Sequence, residues 1–97
     1  MSDIEPHRRA AIARVLEGEG RASREDRRAA FEAPAAPLLE KVAQDAYRVT
    51  DDDIASAKAS GLSEDQIFEL VVCAAIGQAQ RQLDAALAAL AEAEAKQ

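Results

Sequence analysis

Apolar residues crowd the chain from Ile67 to Ile76, with Glu69 the one charge among them. From Ala79 onward they retreat to a stripe of Ala79, Leu83, Ala86, Leu90 and Ala93, which runs back through Ala75, Val72 and Phe68. Steps of three and four residues keep such a stripe on one face of an α-helix. Ser63 followed by Gln66 forms a capping box, no proline comes after it, and only Gly77 interrupts good helix formers. The pattern predicts one continuous helix from Ser63 to the C-terminus, about 45 Å long at 1.5 Å per residue. Its first half reads as covered on all sides, the core of the fold. Its second half reads as a seam for another helix, such as one from a second copy of the chain.

The remaining pattern predicts four shorter helices. Ser2 or Asp3 caps the first, with Pro6 in its first turn, Ala11, Ile12, Val15 and Leu16 on one face, and Gly18 and Gly20 ending it. Ser23 with Asp26 opens a second, Arg-rich helix through Phe31, which the prolines at 34 and 37 close. Pro37 starts a third helix reaching Val49, with Leu38, Leu39, Val42, Ala46 and Tyr47 on one side and the Tyr47 ring packed. Thr50 with Asp53 is a further capping box, and the helix it opens stops at Gly61. No segment alternates with period two, so no strand is expected. The expected fold class is all-α: a single helical domain over residues 1–97, with N-terminal helices in 1–33 and a core in 37–97.

Composition sharpens this picture in one respect. Hydrophobic residues make up 48% of the 97, but much of that is alanine, and aromatics are 3%. Alanine buries little area, so one chain builds a thin core, and association with further copies is the simple remedy. The net charge of −6 lies entirely in residues 34–97, where five Lys/Arg face eleven Asp/Glu; residues 1–33 hold seven of each sign. An acidic domain with few aromatics argues against nucleic acid. The cluster Arg21, Arg24, Arg27 and Arg28 reads as the solvated face of a short helix. No uncharged apolar run is long enough to span a membrane. The start MSDIEPHRRA lacks the apolar segment of a signal peptide, which makes a cytoplasmic location the expectation. One cysteine allows no intramolecular disulfide, and the lone His7 has no second ligand at metal spacing, so neither metal nor cofactor is expected.

The segment from Tyr47 to Leu90 carries a family likeness. Its features are the helix start at Val49–Asp53, the entry GLSEDQIFELV at Gly61–Val71, the glycine at Gly77 and the arginine at Arg81. Together with the earlier Arg/Ala-rich stretch, the chain resembles small members of the AhpD-like, or carboxymuconolactone decarboxylase, superfamily. The resemblance implies an all-helical fold assembled as trimers or hexamers, with the site at the long helix. The chain departs from the redox members of that superfamily. Where they carry a Cys-x-x-Cys, this sequence has Gln78 and Arg81; Ala85 stands at their histidine and Gln66 at their glutamate. A thiol–disulfide cycle needs an attacking thiolate and a resolving partner, and this chain has neither pair.

Candidate chemistry therefore rests on scattered residues. Gln66, Glu69, Cys73, Gln80 and Asp84 fall along one strip of the long helix. Cys73 reads either as a nucleophile beside a carboxylate or as a buried small hydrophobe; an apolar setting and a neighbouring carboxylate both disfavour its thiolate. Glu69 reads as a general acid–base or as the structural partner of Arg14, Arg48 or Arg81. Gln78, Arg81 and Gln82 are the first polar groups after the apolar run and are the candidate ligand-binding residues. Arg81 is suited to clamp a carboxylate ligand or to bridge to an acidic residue of another subunit. Gly77 in a helix costs about 1 kcal/mol relative to alanine, which implies a close neighbour, most simply in an oligomer.

Two functions from different classes follow. The first is an oligomer-forming helical protein without dithiol redox activity, with a binding or scaffolding role. The second is an enzyme acting on a small carboxylate, with Arg81 holding the anion and Glu69 moving a proton. Use of Cys73 across a subunit boundary is a third.

Overall fold

The computed structural model describes residues 4–96. Five α-helices follow in order: α1 (Ile4–Glu17), α2 (Arg24–Glu32), α3 (Pro37–Asp45), α4 (Asp51–Ala59) and α5 (Glu64–Ala95). A 3-10 turn, Ala46–Arg48, joins α3 to α4, and no strand occurs among the described residues.

The helix starts are set by local hydrogen bonds that the sequence spells out. Ser23 Oγ accepts from the Asp26 amide at 2.9 Å. Thr50 with Asp53, and Ser63 with Gln66, each close a complete capping box. Pro37 is the first residue of α3, where its missing N–H costs nothing. Gly61 takes φ 107° to turn the chain from α4 into α5. The cap expected at Ser2 or Asp3 lies outside the described residues.

The 32-residue α5 is unbroken through Gly77 and is the axis of the molecule. One face, formed by Ile67, Leu70, Cys73, Ala74 and Gly77, is buried. Two short helices sit on that side. α2 runs alongside in the same direction, since its start meets Glu69 and its end meets Arg81. α1 runs the opposite way: Arg8 bonds to Gln80 near the middle of α5, while Leu16 joins Leu70 and Cys73 in the core. Leu39 and Leu62 pack against the same cluster. At Gly77 a Cβ would overlap the Phe31 carbonyl oxygen, so glycine is what lets the end of α2 rest on α5. The close neighbour expected of Gly77 thus belongs to the same chain rather than to a second one.

Four expectations need correction. The first half of α5 is not covered on all sides: Phe68 is 68% exposed and Ala75 is exposed, while Val71, Val72 and Ile76 are only half-buried. α3 ends at Asp45, whose φ of −146° and ψ of 62° leave the helical region, so the chain turns towards the cap at Thr50. Tyr47 on that turn is 84% exposed, and its ring does not pack. Finally, Arg27 is buried rather than solvated, unlike Arg21, Arg24 and Arg28.

The apolar residues of α5 therefore form two stripes about 180° apart, at 3.6 residues per turn. Ile67, Leu70, Ala74 and Gly77 face the other helices. Phe68, Val72, Ala75, Ala79, Leu83, Ala86 and Leu90 face outward. From Arg81 to Ala95 every residue of α5 is exposed. The accessible surface is 6929 Å², where a compact monomer of 10.3 kDa exposes about 5,400 Å². The radius of gyration, 15.6 Å, likewise exceeds the ~12.5 Å of a compact chain of this length.

Candidate functional site

The polar strip of α5 is where the sequence concentrated candidate chemistry, and it is the strip that meets α1 and the α1–α2 loop. The loop, residues 18–23, must reverse the chain and enter α2, which leaves backbone groups for side chains to satisfy. Glu69 takes two consecutive amides. Its Oε1 and Oε2 accept from the Arg21 N–H, each at 2.9 Å, and its Oε2 also accepts from the Ala22 N–H at 3.0 Å. Gly20 leaves room for this, since a Cβ there would overlap Glu69 Oε1. Gln66 adds a bond from its Nε2 to the Arg21 carbonyl at 3.3 Å. Glu69 makes no ion pair with Arg14, Arg48 or Arg81. Its partner is the loop backbone, with the Arg27 guanidinium close by, beside Gly20.

Arg27 satisfies the complementary set. It donates to the Val15 carbonyl at 2.9 Å and the Gly18 carbonyl at 2.6 Å, and more weakly to the Ser23 carbonyl at 3.4 Å. It thus closes the C-terminal end of α1, where carbonyls lack helical partners and the dipole favours a cation. Sequence reasoning missed this role. The available signal was spacing: Arg27 lies between Ser23 and Ala30, three residues before the latter, on the one face of α2 that turns inward.

Cys73 is fully buried beneath this loop. Burial pushes its thiol pKa up; the nearby Arg27 charge pulls it down and Glu69 pushes it up further. Among the two readings of Cys73, the protonated, packed thiol is the one this environment favours.

Arg81 lies at the other end of α2. Its Nη1 donates to the Phe31 carbonyl at 2.6 Å and the Glu32 carbonyl at 3.2 Å, and its Nη2 to Gln78 Oε1 at 3.2 Å. It closes α2 as Arg27 closes α1. Gln82 is exposed. Twelve residues separate Glu69 from Arg81, about 18 Å along the helix axis. The structure thus brings together Glu69, Cys73 and Arg27, and separately Gln78 and Arg81, but does not bring the two groups to one place. Gln80 accepts from Arg8 and donates to Asp84 at 2.8 Å, tying α1 to α5. His7 is exposed, and no cluster of metal-ligating side chains occurs among the described residues.

A largely apolar hollow lies elsewhere. A cleft of about 450 Å³ opens between α3, α4 and α5, walled by Leu38, Leu39, Leu62, Ile67 and Leu70 with Ser56 and Ser60 at its rim. The Lys41–Asp53 ion pair stands beside it, at 2.9 Å. No helix among the described residues is long and apolar enough to cross a membrane. Compared with known proteins, the chain matches no family model, no curated protein and no solved structure.

Proposed function

We propose that this chain is an oligomer-forming helical protein of the carboxymuconolactone decarboxylase-like superfamily, acting by binding or scaffolding rather than by dithiol redox chemistry. The observation that carries the reading is the outer stripe of α5, exposed from Phe68 to Leu90 except at the half-buried Val72, on a molecule whose own core is small. That core is Leu16, Ala22, Ala30, Leu38, Ile67, Leu70, Cys73 and Ala74. The surface in excess of a compact monomer is about 1,500 Å², against the ~800 Å² per partner of a standard stable interface. The groups an enzyme would use are already engaged: Glu69 by amides, Arg81 by carbonyls, Cys73 by burial.

The test is the size of the assembly. On a sizing column, Leu83→Asp or Leu87→Asp should move the protein towards monomer by placing a charge on the exposed half of α5. If neither change moves it, the outer half of α5 is not what joins the subunits.

A further inference from the structure

The bare stripe of α5 has an internal symmetry. From Phe68 to Leu90 its members 68, 72, 75, 79, 83, 86 and 90 are separated by steps of four, three, four, four, three and four, while Ala93 continues the stripe beyond this span and has Asp65 as its counterpart. The series reads the same from either end, with Ala79 at its centre. On the helix the pairs equidistant from Ala79 lie at equal angles on either side of it. A parallel pair of helices gains nothing from such a palindrome, because each position then meets its own copy. An antiparallel pair with a two-fold axis at Ala79 uses it in full. Phe68 then meets Leu90 of the second copy, Val72 meets Ala86, Ala75 meets Leu83, and Ala79 meets Ala79.

We infer that the outer face of α5 binds a second copy of this chain, antiparallel and two-fold symmetric about Ala79. The inference rests on the assembly reading above and adds the partner's direction and register. Size matching favours it. The inner layers set a large residue against a small one, which keeps the helix separation even; the parallel register stacks Leu83 on Leu83 and Ala75 on Ala75. The small residue at the axis lets the backbones approach where the helices cross. A hollow of about 270 Å³ beside Phe68, walled by Ile54, Ile67 and Val71, lies where Leu90 of the second copy arrives. Lys58, at the same hollow, already pairs with Glu64 of its own chain at 2.5 Å. Antiparallel dipoles also attract where parallel ones repel. The arrangement lays the projecting half of each α5 along the covered half of the other, so the portion with no intrachain support gains it from the partner. The contact is isologous, as two-fold association requires.

Single cysteines at exposed stripe positions test this, with the native buried Cys73 left in place and the unmodified chain as control. After treatment with a short bismaleimide, Ala79→Cys should give covalent dimer in high yield. Ala75→Cys alone should stay uncoupled, and a mixture of Ala75→Cys with Leu83→Cys should couple. Self-coupling of Ala75→Cys and Leu83→Cys as efficient as that of Ala79→Cys would mean a parallel pair and would overturn the inference. Absence of coupling in every variant, with light scattering still reporting an oligomer, would overturn it too while leaving the assembly reading intact. Absence of coupling with a monomeric mass would remove both.

Discussion

Glycine at position 77 is the residue on which the packing of α2 against α5 turns. Alanine is the better helix former by about 1 kcal/mol, but its Cβ would meet the Phe31 carbonyl. Neither helix backbone yields easily, and overpacking of this kind costs about 1–3 kcal/mol. Gly77→Ala should therefore lower the midpoint of urea unfolding, against the direction that propensity alone gives. Glu69 acts at the same scale. Ala22 is buried, and its N–H has the Glu69 carboxylate as partner. Removing a charged acceptor from a part-buried amide costs about 1–3 kcal/mol, so Glu69→Ala should destabilise by that order in the same assay. A catalytic Glu69 would instead leave stability intact. The sequence exposed the oddity of Glu69 and Gly77, since a lone acid and a lone glycine in an apolar helix each demand a cause. It did not expose the partners, because the loop amides and the Phe31 carbonyl lie more than forty residues away in the chain.

At the scale of elements, the ends of helices were readable and their associations were not. Ser23, Thr50 and Ser63 each act on a backbone amide three residues on, so the information is local. Arg27 and Arg81 close helix ends across the fold, and nothing beside them in the chain marks that job. The same limit explains the long helix. An apolar run looks alike whether it is covered all round or leaves residues such as Phe68 and Ala75 exposed, as it does here. The start of α4 gives a pH-dependent prediction. A hydrogen bond from Lys41, then one from the Thr50 amide, holds the Asp53 carboxyl below its ordinary value. A carboxylate with a depressed folded pKa adds stability above its unfolded value, near 3.9, and loses it as pH falls through the folded value. The thermal midpoint should thus drop on acidification below about pH 4, and Asp53→Asn should drop less steeply over the same window while being less stable at neutral pH.

For the whole molecule, extents of 54 × 28 × 17 Å describe a thin body with a helix running past it. Such a shape leaves apolar surface on both the body and the projecting half of α5, which a further copy would bury under the assembly proposed above. On that proposal dissociation and unfolding are coupled, and the unfolding midpoint should rise with protein concentration. The most direct measurement is sedimentation equilibrium of the unmodified chain at micromolar concentration. A mass that is a whole-number multiple of 10.3 kDa, and greater than one, is the predicted result. The mass of a single chain throughout that range would contradict the account, because α5 would then stand bare in water from Phe68 to Leu90.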